Sequence, residues 1–162
     1  GLLCFVTAKY EFFVDDQLFI EEEHDLVYRD YNKDKKAVIV KNDLPFVESD
    51  YEETIYAHPT MLFRYSAITF NGHRIHYDYP YSTKEEGYKD LVFHGPLQAT
   101  LMLRAAEKYM KSKAKYFSHR GVAPVYANDN LFINIKNKLN GNVNCFTSTK
   151  DAGMTMRAEA IF

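Results

Sequence analysis

The sequence predicts an α+β domain in which an antiparallel sheet wraps around one long buried helix, with a β-hairpin in front of it. Three observations carry this. A long apolar segment follows "HGP" at residues 94–96. Four alternating segments broken by turn residues come after it, and two aromatic and β-branched runs flank Asp15-Asp16 near the start. The aromatic content agrees: 13 Tyr and 12 Phe with no Trp favour strand-rich packing.

Taken in order, "LLCFVTAKYEFF" and "LFIEEEHDLVYRDY" predict a hairpin within residues 1–31. Residues 32–50, "NKDKKAVIVKNDLPFVESD", are charged at both ends, contain Pro45 and are expected to be a linker. From Tyr51 to Phe162 the pattern predicts one complete unit. "ETIYA" is a strand, and Pro59 suits the first turn of a helix through "TMLFRYSAI". "YSTKEEGY" predicts a short helix ended by Gly87. Gly95-Pro96 opens the main helix, since proline at the first helical position lacks only an N–H that would be unpaired anyway. Leu97, Ala99, Leu101, Met102, Leu103, Ala105 and Ala106 make its first turns apolar nearly all round, which predicts burial on every side. "KYFSHRGVAPVY" (115–126), "LFINIKNKL", "VNCFTSTK" and "MTMRAEAIF" are expected to be antiparallel strands.

Twenty basic against 22 acidic side chains give a net charge of -2, which asks for neither nucleic acid nor an anionic membrane as partner. No apolar run approaches the roughly 20 residues of a spanning helix. Cys4 and Cys145 are too few for a disulfide framework or metal knot, so a reducing, cytoplasmic setting is expected, or a mitochondrial one in a eukaryote. No cofactor and no metal are expected: GxGxxG, P-loop, paired CxxC and HExxH patterns are lacking, and no serine sits in a GxSxG turn.

The chemistry concentrates in residues 69–78, "TFNGHRIHYD". A neutral imidazole at His76 can accept a proton near pH 7 and is the candidate general base. The amide of Asn71 can both donate to and accept from a water molecule. At "HGP" the first N–H groups of a helix lack intrahelical partners and carry the positive end of its dipole. A carbonyl oxygen could approach the N–H of Gly95 closely, a site suited to the enolate of an acyl thioester. A structural reading stands beside each of these. Asn, Gly and His also belong in turns, and His94 reads as packing at the helix start. The cations Arg104, Lys108, Lys111, Lys113 and Lys115 fit either the phosphates of coenzyme A or the stabilised C-terminal end of a helix.

The stretch "LFRYSAITFNGHRIHYDYPYSTKEEGYKDLVFHGPLQATLML" resembles the MaoC-type hydratases and dehydratases, within the branch that includes mesaconyl-C4-CoA hydratase and the yeast mitochondrial 3-hydroxyacyl-thioester dehydratase. "FVTAKYEF" and "EEEHDLVYRD" are similar to that branch too. The resemblance implies a hotdog fold, with the hairpin as remnant of a preceding hotdog unit in a longer or shortened protein. The broad family's motif, Asp-x-Asn-Pro-[aliphatic]-His, falls on Asn71, Gly72, His73, Arg74, Ile75 and His76, so the histidine is kept and asparagine replaces the aspartate.

The implied activity is reversible hydration of a 2-enoyl thioester of coenzyme A or acyl carrier protein. His76 would move the proton, Asn71 orient water, Gly95 N–H bind the thioester oxygen and Arg74 meet a carboxylate on a dicarboxylic acyl group. A homodimer or larger homo-oligomer is implied, with no nucleic acid or membrane partner. Two alternatives stay open: a hotdog thioesterase, for which Asp78 is the acidic candidate, and a non-catalytic acyl-thioester-binding or assembly subunit.

Overall fold

The computed structural model describes residues 2–29, 48–138 and 141–162, and most of the expected linker lies outside them. The chain divides into two units, 1–34 and 35–162. In the first, β1 (Leu3–Val14) and β2 (Gln17–Arg29) pair antiparallel from Leu3 opposite Arg29 to Val14 opposite Gln17. Asp15 and Asp16 take positive φ of 47° and 62°, the left-handed geometry whose twist matches a two-residue hairpin. A bulge between Phe12 and Phe13 offsets the register near the turn.

The second unit is the hotdog arrangement. β3 (Tyr51–Tyr56), β4 (Tyr116–Gly121), β5 (Asn130–Asn137), β6 (Asn142–Thr149) and β7 (Gly153–Ile161) form a five-stranded sheet in the order β3-β5-β6-β7-β4, every pair antiparallel. α1 (Pro59–Ile68) follows β3, and α2 (Gly95–Met110) packs against the sheet. Leu131, Ile133, Ile135, Val143, Cys145, Met156 and Ala160 alternate onto one face of their strands and enclose Ala99, Met102, Ala105 and Ala106 of the helix. Each large side chain so buried contributes about 1.5–3 kcal/mol.

Two expectations change. α2 is not buried on every side: Thr100, Arg104 and Lys108 are exposed, and Leu101 and Leu103 are only half-buried. A single sheet can cover one flank of a helix, so the apolar surplus does not bury the whole circumference. The strand expected over 115–126 ends at Gly121. The N–H groups of Val122 and Ala123 both turn to the carbonyl of Thr155, and Pro124 has no N–H to extend a ladder. Val125 and Ala127 instead form a short pairing with 91–93: Phe93 N–H donates to Val125 O and Ala127 N–H to Leu91 O, each at 2.8 Å.

Arg104 and Lys108 of α2, and Lys113 just after it, have local partners. Glu53 of β3 accepts from Lys108 Nζ at 2.6 Å and pairs with Arg104 at 3.4 Å, while Lys113 bonds Glu107 at 2.7 Å. Among the described residues no helix is long and apolar enough to cross a membrane.

Candidate active site

The site forms where the loop after α1 meets the start of α2. α1 is opened by His58, whose Nδ1 accepts from Thr60 N–H at 3.1 Å, with Pro59 in its first turn. It ends at Thr69, and Phe70 follows at φ 53°, turning the chain sharply into the Asn/His loop. Asn71 N–H returns to Ser66 O at 2.9 Å, and Asn71 Oδ1 accepts from His73 N–H at 3.0 Å. The asparagine thus builds the turn itself, and its Nδ2 remains as a donor.

A 3₁₀ turn over Arg74–His76 carries the histidine inward. Segment 91–93 receives it through a reciprocal pair of bonds: Val92 N–H donates to Ile75 O at 2.9 Å, and His76 Nδ1 donates to Val92 O at 2.7 Å. Ile75, Val92 and Tyr126 pack together beside these bonds. Because Val92 contributes a carbonyl, Nδ1 must carry the proton. Nε2 of a neutral His76 is therefore a free acceptor, the state a general base needs. His76 is 8% exposed, so it is a packed residue. Burial lowers its pKa from the usual histidine value against the raising effect of the Val92 bond.

His94 precedes α2 in an extended conformation (φ -64°, ψ 129°), and its ring stacks on that of His76 with centroids 3.7 Å apart and planes 18° apart. This contact brings the start of α2 against His76. Gly95 N–H meets no acceptor among the described residues, since the first intrahelical bond runs from Gln98 N–H to His94 O. A Cβ at Gly95 would touch only Met156 Cε, at 3.9 Å, so the position is open on its outer side. Gln98 anchors this first turn from below: its Oε1 accepts from Thr147 at 3.1 Å and Thr155 at 3.2 Å, all three buried.

Arg74 lies at the rim. Its Nε and Nη2 both donate to Asp78 Oδ2, at 2.9 and 2.7 Å, and its guanidinium lies 4.2 Å from the centre of the Tyr81 ring. Asp78 Oδ1 also accepts from Tyr81 N–H at 3.1 Å, starting the single π-helical turn Tyr81–Glu85. The Arg74 bond holds the Asp78 carboxyl below its ordinary range. An open groove of about 450 Å³ borders the site; Met61, Arg64, Tyr65, Ile68 and Leu97 line it. Tyr65 also places its ring edge on His94, with centroids 4.8 Å apart.

The structure therefore unites His76, Gly95 and the Asn71 turn at one place and leaves Arg74 paired. Sequence reasoning missed Val92, Ser66 and Tyr65. Val92 acts through its carbonyl, which no side-chain pattern reveals. The available signal was "DLVF", an apolar run ending against "HGP".

A buried histidine stacked at the start of a helix, on a sheet wrapped round that helix, is the arrangement of a hotdog-fold domain. The profile of the hydroxyacyl-thioester dehydratase type 2 family matches residues 3–127, and the chain belongs to that family. It is 44% identical over 126 residues to mesaconyl-C(4)-CoA hydratase of Chloroflexus aurantiacus, covering 78% of this chain and 45% of that one. It is 36% identical over 141 residues to the mitochondrial hydroxyacyl-thioester dehydratase type 2 of Schizosaccharomyces pombe, covering 83% and 45%. The chain thus spans about half the length of these relatives. A MaoC-like dehydratase of Phytophthora capsici shares the fold with TM-score 0.76 at 15% identity, over 99% of this chain and 56% of that one.

Proposed function

We propose that this chain carries the catalytic site for reversible hydration of a 2-enoyl thioester, equivalently dehydration of a 3-hydroxyacyl thioester. The observation that carries the proposal is the tautomer of His76, held with Nε2 free by Val92 O, beside the unpaired N–H of Gly95. In hydration His76 Nε2 takes a proton from water as its oxygen bonds to carbon 3. The double-bond electrons move to carbon 2 and the thioester oxygen, where Gly95 N–H and the helix dipole stabilise the enolate. His76 then returns the proton to carbon 2, so that water has added across the bond. Dehydration runs the same steps backwards. Asn71 donates through Nδ2 to the water oxygen while its Oδ1 keeps the turn.

The groove along Met61, Tyr65, Ile68 and Leu97 suits an acyl or pantetheine chain, whose carrier is coenzyme A or acyl carrier protein. For Arg74 to bind a substrate carboxylate it must exchange Asp78 for it. The thioesterase alternative would need Asp78 to activate water, and its commitment to Arg74 and Tyr81 N–H argues against that. A homo-oligomer is part of the proposal, because β3 and β4 are the edges of the five-stranded sheet.

The test is an enoyl-CoA assay reading the enoyl absorbance and free thiol together. Loss of the enoyl band without thiol release supports hydration. Thiol release indicates a thioesterase, and neither signal indicates a binding subunit. His76→Ala should lower the hydration rate by roughly 10²–10⁴.

A further inference from the structure

His94 is 1% exposed, and its side chain makes a single hydrogen bond, between Nε2 and Ser66 Oγ at 2.9 Å. Its Nδ1 is buried without any partner, and the side chain does not cap α2. A buried polar atom left unsatisfied costs about 1–3 kcal/mol, a cost the fold carries at this position. What the imidazole does make is a face-to-face contact with His76, the ring whose Nε2 must be aimed at water.

We propose that His94 is a positioning residue for His76, a neutral ring held by Ser66 that fixes the plane of the base and stabilises it while it carries a proton. Two in-plane constraints already act on His76, its own backbone and the Nδ1 bond to Val92 O. Neither prevents the ring from tilting about that bond. A parallel ring at 3.7 Å does, and its π-face attracts an imidazolium above it.

The arrangement requires that His94 itself stay uncharged. Burial and the neighbouring His76 and His73 hold its pKa down to about 4. Among the described residues, Tyr65 from α1 presents a ring edge, segment 91–93 presents the Val92 carbonyl, and Arg74 and Asp78 are paired with each other. His73 meets His76 edge-on with centroids 5.6 Å apart and, among the described residues, is the one other titratable ring in contact with it.

The proposal uses His76 as the base only for its activity arm; the imidazole geometry can be read without turnover. The experiment is a nitrogen-15 histidine NMR titration of the whole chain, with the pH profile of kcat/KM alongside, for wild type, His94→Ala, His94→Phe and Ser66→Ala. Wild type should show His76 in one neutral tautomer, protonated on Nδ1. His94→Ala should broaden the His76 Nε2 signal as the ring tilts about its Nδ1 bond, shift the His76 titration, displace the acid limb and cut kcat/KM roughly 10- to 100-fold. His94→Phe keeps a parallel ring and should restore the wild-type His76 signals. Ser66→Ala leaves His94 in place without its anchor and should shift the titration partway, which decides the matter if His94→Ala does not fold. The proposal is overturned by unchanged His76 signals in folded His94→Ala or in Ser66→Ala, or by His94→Phe behaving like His94→Ala. Shifted signals in a chain without hydratase turnover would keep the positioning role and remove the proposed reaction.

Discussion

His76 Nδ1 donates to the carbonyl of Val92 at 2.7 Å, and Val92 N–H donates back to Ile75 O at 2.9 Å. The pair ties the Asn/His loop to the segment that launches α2. It fixes the tautomer of the proposed base and its distance from the helix start at once. A 16-residue sequence separation is closed by two backbone groups of Val92.

This bond sets the pH dependence. The reactive form of a base at His76 in the proposed hydration is neutral, and burial lowers its pKa below the usual histidine value. Hydration should therefore persist below the pH at which an ordinary histidine protonates, and fail only as the pH drops through the lowered value. The acid limb of kcat/KM measures it. A limb at or above the ordinary histidine pKa would remove His76 from that role.

Gly95→Ala separates fold from chemistry. The new Cβ would meet only Met156 Cε at 3.9 Å, and the backbone there does not need positive φ. Thermal stability should stay near wild type. The methyl group nevertheless crowds the approach of a thioester oxygen to the N–H, and kcat should fall by about 10²–10³, the effect of losing one oxyanion donor. An active Gly95→Ala enzyme would show that the oxygen binds elsewhere.

Asn71 has a turn-building oxygen and a free amide nitrogen, and two variants distinguish them. Asn71→Asp keeps an acceptor for His73 N–H and should fold normally while losing the donor to water. Asn71→Ala loses both and should be less stable, by about 0.5–1.5 kcal/mol for the hydrogen bond alone. Circular dichroism melts compared with initial rates check this. Equal rates in wild type and Asn71→Ala would leave the residue a turn former only.

Arg74 tests substrate charge. With its guanidinium bound to Asp78, Arg74→Ala should leave KM for an uncharged enoyl thioester nearly unchanged. If substrate carboxylate replaces Asp78, KM for a dicarboxylic acyl thioester should rise at least tenfold in Arg74→Ala, the loss expected of a charge-assisted hydrogen bond. Equal KM changes for both substrates would rule out carboxylate recognition by Arg74.

The sheet edges predict assembly. β3 and β4 each pair on one side only within the five-stranded sheet. Sedimentation at micromolar concentration should show at least a dimer, the commonest closed solution for such edges. A stable monomer would contradict it.

Local chemistry wrote part of this protein directly into the sequence. Asp15-Asp16 tolerates the positive φ of a two-residue turn, so the hairpin was legible. Gly95-Pro96 could open a helix and not continue one, so the start of α2 was legible, and with it the unpaired N–H. Alternation named the cores of β5, β6 and β7. Tertiary structure decided what depends on partners distant in the chain. β4 stops at Gly121 because Thr155 O draws the next two N–H groups aside. One flank of α2 stays open because a single sheet reaches only the other. His76 is buried and oriented, with His94 stacked on it, because Val92 offers a carbonyl and Ser66 a hydroxyl at the right places. Backbone groups carry no residue-specific signature, and ring stacking depends on the angle at which two segments meet. Neither can be read from the order of amino acids alone.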